Sequence, residues 1–403
     1  MSIDWVWIKN GSVTSPMGFR AGGIPCGIKK TNARDMALLF SDCEAEVGAT
    51  FTTNLIKAAP VKLSMQHVRG GPVRGVILNS GNANACTGLQ GITDAKEMAE
   101  LTAELMGVKR REILVCSTGR IGVPLPMEAV RKGIRKVVKK INHVSGPVAA
   151  KAIMTSDTVS KTCALALQLN GRRVVIGAMC KGAGMIHPNM ATMLACITTD
   201  AAIERETLQR LTYEAVEASF NRISVDGDTS TNDTVLVLAN GLAGNAPLAT
   251  GHRDLGKFQN ALKWVMQKLA RMIVEDGEGI SHVVEVIVQG AASSADARRI
   301  SEAISRSPLV KSSWCGGDPN WGRLMGAMGY SGAKVREELV DIYYNGLIAV
   351  KGGLVSPTPR SKLAKIVAKR SYTITLDLHL GKGDYRLLVN DLTEKYVTLN
   401  KGE

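Results

Sequence analysis

Two apolar runs, residues 162–169 and 172–179, flank the pair Asn170-Gly171. Asn-Gly is a preferred filling of a two-residue hairpin turn, because both central positions need positive φ. The pattern predicts an antiparallel hairpin that delivers the chain directly to Lys181. There the sequence reads Lys181-Gly182-Ala183-Gly184, then Pro188-Asn189, then an apolar run that holds Thr192 behind the small residue Ala191. Loop, small residue, threonine, buried strand is the layout expected if the peptide bond before Thr192 breaks. The break would give Thr192 a free amine able to activate its own hydroxyl, the threonine version of nucleophilic catalysis. For an arbitrary threonine the plainer reading is commoner: a β-branched residue filling a core strand.

The loop itself suits an anion. Lys181 offers one charge, and the glycine-rich turn offers several backbone N–H groups for a carboxylate. A dinucleotide fingerprint fits poorly, since the third glycine position after Gly182 and Gly184 is His187. No Walker lysine pattern is present either.

At 403 residues the chain needs more than one packed unit. No apolar run is long enough to span a bilayer, and the start, Met-Ser-Ile-Asp-Trp-Val-Trp, does not read as a secretory signal. Eight scattered cysteines without a Cys-x-x-Cys pair predict reduced thiols in a cytoplasm and no structural metal. The six histidines form no zinc-hydrolase pattern. A net charge of +14 raises the question of an anionic partner. The densest basic run, Arg131, Lys132, Arg135, Lys136, Lys139 and Lys140, has no interleaved aromatics. It reads first as a solvated helix face, then as attraction for small acidic substrates, and last as a nucleic-acid surface.

Strands and helices mix throughout, which predicts α+β layers. Residues 74–78 read as a strand that runs into Asn79-Ser80-Gly81-Asn82-Ala83-Asn84-Ala85-Cys86-Thr87-Gly88. That segment either hydrogen-bonds a buried turn or lines a site. Thr93 caps a helix to about 106, with Met98, Leu101 and Leu105 on one face. The strand 113–116 stops at Ser117-Thr118-Gly119. One helix carries Leu208, Leu211, Ala215 and Ser219. A longer one carries Phe258, Leu262, Val265, Leu269 and Ile273, and ends in Asp276-Gly277-Glu278-Gly279. Later strands at 283–288 and 372–379 are separated by a short helix, about 295–305.

Acyl transfer passes through a tetrahedral oxyanion, and losing one donor to it costs about 3 kcal/mol. Thr118 offers a hydroxyl and Gly119 an unobstructed N–H, although strand ends carry Ser, Thr and Gly for turn reasons too. Glu278, between two glycines, suits an ammonium partner; its plainer reading is a solvated turn carboxylate. Residues 226–233, Asp-Gly-Asp-Thr-Ser-Thr-Asn-Asp, are rich in oxygen ligands but lack EF-hand spacing. They read as a hydrogen-bonded network that supports a site. Cys116 and Cys196 read as core residues.

These segments together resemble the ornithine acetyltransferase family, bifunctional glutamate N-acetyltransferases of arginine biosynthesis. The likeness covers Asn79 to Gly88, Ser117-Thr118-Gly119, Met154-Thr155-Ser156-Asp157-Thr158, Lys181 to Ala201, and the run from Asp226 to Asp233. It continues in Asp318-Pro319-Asn320-Trp321-Gly322-Arg323, Asp391-Leu392-Thr393 and Tyr396-Val397. It implies an αββα sandwich core over 1–280 and a further α/β domain over 281–403. The implied precursor cuts itself between Ala191 and Thr192 into an α chain, 1–191, and a β chain, 192–403, assembled as an α2β2 heterotetramer. Thr192 is then the implied nucleophile, Thr118 and Gly119 the oxyanion hole, and Thr155, Lys181, Thr192, Glu278 and Asn400 the substrate contacts. The implied reaction is ping-pong. Acetyl moves from N2-acetylornithine to Thr192 and then to the α-amine of glutamate, with no metal or organic cofactor. Acetyl-CoA is a second donor only in bifunctional members.

Three positions depart from the family pattern. After Asn400 the chain reads Lys401-Gly402-Glu403, without the terminal threonine that members commonly carry. Ser156 replaces a usual threonine, and Arg120 stands where a small apolar residue is usual. Two other readings compete: an amidase or aminopeptidase that uses the same threonine with water as acceptor, and a basic binding protein with a decayed site.

Overall fold

The computed structural model describes residues 5–187 and 193–401. As far as those residues go, the chain forms two compact units. The first comprises Met1–Gly182, Asn189–Asn221 and Thr229–Ile273, and the second Ala183–Pro188, Arg222–Asp228 and Val274–Glu403. The sequence expectation set its change of domain at 280. The observed change at 273/274 brings two short loops of earlier sequence into the second unit.

The first unit holds a nine-stranded sheet with strand order β1-β6-β7-β8-β10-β3-β4-β5 and β2 beside β3. Its strands are β1 (Trp5–Trp7), β2 (Phe19–Ile24), β3 (Met36–Phe51), β4 (Val73–Asn82), β5 (Ile113–Arg120), β6 (Lys161–Leu169), β7 (Arg172–Lys181), β8 (Leu194–Thr199) and β10 (Thr234–Ala239). Its helices are α1 (Ala59–Arg69), α2 (Gly88–Met106), α3 (Met127–Val137), α4 (Gly146–Ala152), α5 (Arg205–Glu217) and α6 (Leu255–Glu275).

The long strand β3 makes the sheet double over. Its first half pairs with β2 and β4, and its second half, Glu46 to Phe51, pairs with β10. Side-chain parity then sorts the layers, because successive residues of a strand face opposite ways. Ala37 and Leu39 of β3, Val76 and Leu78 of β4, and Leu114 and Cys116 of β5 share one buried cluster with Met179, Leu194, Cys196, Leu236 and Leu238. That cluster is the interior between the two leaves. The residues of opposite parity, Met36, Leu38, Phe40, Ile77, Ile113 and Val115, pack with Leu63 of α1, Met98 of α2 and Ile134 of α3. Behind the other leaf lie α5, where a Cβ on Gly48 would meet Thr212 and the Leu208 carbonyl, and α6, whose Val265 carbonyl is 4.0 Å from Cys163 Sγ. The expected αββα layering is therefore present.

The hairpin forms as expected. Leu169 pairs with Arg172, Asn170 and Gly171 take φ of 49° and 73°, and β7 runs on to Lys181. Two expectations need correction. The helix expected to begin at Thr93 begins at Gly88, and the Thr93 hydroxyl merely donates to the Leu89 carbonyl within it. Thr87 stands just before this helix and makes no side-chain capping bond to it; its hydroxyl donates to Asn84 Oδ1 at 2.7 Å. The strand expected to end at Cys116 continues to Arg120, because its pairing with β4 persists through Thr118 and Gly119.

The second unit holds a seven-stranded mixed sheet, order β14-β13-β12-β15-β11-β16-β9. The strands are β9 (Ile223–Ser224), β11 (Val283–Ala291), β12 (Asp341–Tyr344), β13 (Leu347–Lys351), β14 (Leu354–Val355), β15 (Ser371–Asp377) and β16 (Gly383–Asn390). Helices α7 (Ser294–Arg306), α8 (Pro308–Cys315), α9 (Trp321–Gly329), α10 (Arg360–Val367) and α11 (Glu394–Leu399) accompany it. Trp314, Ile300 and Leu324 pack with Val286, Ile374 and Leu387 of the sheet in one core. No helix among the described residues is long and apolar enough to cross a membrane.

Candidate active site

In the first unit the end of β5 and the end of β7 carry the chemistry. Ser117 and Thr118 are buried, whereas Gly119 and Arg120 are exposed. The amide-rich segment after β4 holds this strand end in place. Ser117 Oγ donates to Asn79 Oδ1 at 2.5 Å, and Asn79 Nδ2 donates to the Asn82 carbonyl at 2.8 Å. Asn232 Nδ2 donates to the carbonyls of Ala83 and Ser117 at 2.7 and 2.8 Å. These amides are spent on backbone groups of a buried turn, one of the two roles open to them in the sequence. Gly119 has φ of 132°, and a Cβ there would lie 2.5 Å from the Asn82 nitrogen. Only glycine fits that position, which explains its place beside Thr118.

Lys181 ends β7 almost fully buried, and its Nζ donates to Thr118 Oγ1 at 3.5 Å. The lysine and hydroxyl singled out from sequence thus lie together. Thr155 joins them through Asp157, a residue that the sequence reading did not single out as functional. Asp157 Oδ2 accepts the Thr155 N–H at 3.0 Å. Its Oδ1 accepts the Gly182 N–H and Lys161 Nζ, each at 2.7 Å. Burial alone would push this carboxyl up, but the charges of Lys181 and Lys161 and the Gly182 N–H bring it down to about 2. One N–H of the glycine loop is therefore already committed to a carboxylate of the protein. The available signal was a carboxylate four residues before Lys161, a spacing that means little until Lys161 proves to be fully buried.

Lys29 was missed as well. Its Nζ donates to the Met154 and Arg34 carbonyls at 2.7 and 3.0 Å. Burial lowers its pKa, Asp35 and Asp157 oppose that, and Lys181 adds to it. Nothing in the surrounding sequence marked it.

Ala191 and Thr192 lie outside the described residues. The next residue, Met193, is buried, and its N–H donates to Asp233 Oδ1 at 2.9 Å. Cys116 and Cys196 are buried core thiols; burial pushes Cys196 up to about 12 and raises Cys116 as well.

In the second unit, Glu278 is half-buried and sits on Gly184: a Cβ on that glycine would lie 2.5 Å from the Glu278 carboxyl carbon. The Glu278 N–H donates to the Ala183 carbonyl at 2.9 Å, and Asn400 Nδ2 donates to Glu278 Oε2 at 3.0 Å. Two of the expected substrate contacts, Glu278 and Asn400, are therefore bonded to each other. Asp226 fixes the same loop, accepting the N–H groups of Met185 and Ile186 at 2.5 and 2.9 Å and the Tyr396 hydroxyl at 3.3 Å. The acidic run 226–233 thus spends Asp226, Asn232 and Asp233 on backbone N–H and carbonyl groups.

His187 is buried beyond that loop. Arg306 donates to its Nε2 at 3.0 Å, so Nε2 must accept and Nδ1 carries the proton toward Ser224 Oγ at 3.0 Å. Burial, then the Arg306 charge, lowers its pKa to about 3. A hollow of about 430 Å³ nearby is lined by Arg299, Arg306 and Tyr330. Its arginines are engaged, Arg299 with Asp296 and Arg306 with His187 and Glu302.

Of the departing positions, Arg120 is exposed at the end of β5, its carbonyl accepting the Ala83 N–H, and Ser156 is exposed. The basic run of α3 is also exposed, with Arg131 paired to Glu97 and Lys132 to Glu128, as a solvated helix face would be.

Residues 20–402 match the model of the ArgJ family. An "Arginine biosynthesis bifunctional protein ArgJ" of Geobacter sulfurreducens is 45% identical over 384 residues, 95% of this chain and 98% of its own. A protein of the same name from Symbiobacterium thermophilum is 46% identical over 396 residues, 98% of each chain. Among solved structures, an ornithine acetyltransferase of Mycobacterium tuberculosis complexed with ornithine is 40% identical. That match covers 47% of this chain and 100% of that one, with a TM-score of 0.44.

Proposed function

The chain belongs to the ArgJ family, acyltransferases of arginine biosynthesis, and from that premise we propose that it moves acetyl from N2-acetylornithine to glutamate through Thr192. The observation that carries the proposal is near-complete coverage by relatives of that name at 45–46% identity. The buried Lys181–Thr118 pair supports it.

The precursor cuts itself between Ala191 and Thr192, giving chains 1–191 and 192–403 that assemble as α2β2 in the cytoplasm. Before the cut the nitrogen of Thr192 is an amide and cannot serve as base. Afterwards it is an α-amine with a reference pKa of about 7.7–8.0, suited to proton transfer near neutral pH. The amine takes the hydroxyl proton while Oγ attacks the acetyl carbon. The Thr118 hydroxyl and the Gly119 N–H stabilise the oxyanion. Collapse breaks the amide bond, the leaving nitrogen of ornithine takes the proton, and acetyl remains as an ester on Thr192. The glutamate α-amine then attacks that ester and the steps reverse.

Thr155, Lys181, Glu278 and Asn400 are substrate contacts in this reading; a lysine and a glutamate suit zwitterions with both charges. The reaction takes no metal or organic cofactor. The relatives are named bifunctional, and in this reading acetyl-CoA is a candidate second donor.

Denaturing electrophoresis and intact mass test the reading. Wild type yields two chains, and Thr192→Ala yields one. Acetyl transfer to glutamate is then measured with N2-acetylornithine and, separately, acetyl-CoA as donor. Release of acetate without transfer would mark an amidase instead, and an uncut yet active wild type would sink the mechanism.

A further inference from the structure

The one fully buried carboxyl beside the start of β8 has no role in the reaction just described. Asp233 immediately precedes β10, which runs parallel to β8 with Thr234 opposite Leu194. Asp233 therefore stands level with Met193 and holds it from two sides. Asp233 Oδ1 accepts the Met193 N–H at 2.9 Å, and the next residue, Thr234, donates its N–H to the Met193 carbonyl at 3.1 Å. Asp233 is itself anchored, since its carbonyl accepts the N–H of Thr52, just past β3, at 2.9 Å. Its neighbour Asn232 reaches the other way, to the Ser117 carbonyl at 2.8 Å, one residue before Thr118.

The N–H that Asp233 holds belongs to the peptide unit whose carbonyl is that of Thr192. Resting on the reading of Thr192 as the self-cleaving nucleophile, we propose that Asp233 is a positioning residue for Thr192. Through Met193 it fixes the peptide that follows the nucleophile, while Asn232 fixes the strand end that carries Thr118. Two adjacent side chains thus hold Met193 and Ser117, the chain neighbours of Thr192 and Thr118.

The other oxygen shows which property of the carboxyl matters. Asp233 Oδ2 is buried and makes no close hydrogen bond among the described residues, although the hydroxyl and N–H of Ser230 face the carboxyl. Burial pushes this carboxyl well above the usual range, against the Met193 N–H and the charge of Lys181. What the carboxyl contributes at Met193 is an acceptor, since one of its oxygens takes the Met193 N–H. An amide of the same shape supplies that acceptor, and a methyl group does not.

The test follows the self-cleavage rate of freshly folded precursor by intact mass, with circular dichroism confirming the fold. Wild type and Thr192→Ala are run first, because an uncut wild type would defeat the nucleophile reading itself. Given a cut wild type, Asp233→Asn should cleave within about threefold of its rate and Asp233→Ala at least tenfold more slowly. The matured fraction of Asp233→Ala should show a lowered kcat with KM little changed. Wild-type cleavage in Asp233→Ala, or loss of cleavage in a folded Asp233→Asn, would overturn the proposal. Should Asp233→Ala fail to fold, Asp233→Glu replaces it, since the extra methylene displaces the acceptor. Slowed cleavage there supports the proposal, and unchanged cleavage overturns it.

Discussion

Replacing Asp157 by asparagine should cost the protein about 3 kcal/mol. The ion pair of Asp157 with Lys161 is 2.7 Å long, and both side chains are fully buried. Burial works against the charged carboxylate, yet its pKa falls from 3.8 to about 2 because the Lys181 and Lys161 charges and the Gly182 N–H outweigh it. At about 1.4 kcal/mol per unit, that drop corresponds to about 2.5 kcal/mol of stability at neutral pH. Removing one partner of a buried pair typically costs about 3–5 kcal/mol, because the remaining charge keeps its desolvation penalty. The sign follows from the lowered pKa. The contribution is complete above the unfolded value and disappears as pH falls through about 2, so wild type and variant should converge in strong acid. Denaturant titration at pH 7 measures the difference, and the double variant Asp157→Asn/Lys161→Met separates charge from shape. If stranded charge is the cause, the double variant recovers at least half the loss. A loss under about 1 kcal/mol, or no recovery in the double variant, would refute the reasoning.

Gly184→Ala places a Cβ 2.5 Å from the Glu278 carboxyl carbon, a flexible end that can swing away. Stability should change by less than about 1 kcal/mol, while KM for N2-acetylornithine rises about tenfold as Glu278 leaves Asn400. Gly119→Ala has no such escape, since its Cβ meets the Asn82 backbone nitrogen at 2.5 Å and φ is 132°. It should lower kcat by about 10²-fold or more by disturbing the oxyanion donors, and lower stability by about 2 kcal/mol. His187 has a folded pKa near 3, far below its ordinary value, so the unfolded chain takes up the proton first. Stability should then fall as pH drops from about 6 to 4, by up to about 1.4 kcal/mol per unit. His187→Gln, which can both accept from Arg306 and donate to Ser224, should flatten that slope in denaturant titrations.

What was legible in the sequence was local. Asn170-Gly171 specifies a turn by its own backbone preferences, and the hairpin it predicts forms with the expected pairing. Thr118, Gly119 and Lys181 could be picked out because each follows an apolar run that is visible in the sequence. The helix start failed at Thr93 because the segment holds several equally good capping residues, and the helix begins at Gly88 without a side-chain cap. The end of β5 failed because apolarity stops at Cys116 while the pairing with β4 does not.

Asp157, and the individual contacts of Asp233 within the run read as a supporting network, escaped for a deeper reason. Each carboxyl acquires its character from strands distant in sequence. Asp157 is held low by Lys181 and Lys161, and Asp233 is held high by burial in the core between Thr52, just past β3, and Met193. The same residue type thus has its pKa lowered in one place and raised in the other, in a single unit of the fold. A sequence records that a carboxyl is available, and only the assembled sheet decides whether it anchors two cations or accepts one N–H. The division of labour is chemically coherent. One carboxyl is tied to buried Lys161 and to the Gly182 N–H just past the end of β7, and the other takes the Met193 N–H just before β8.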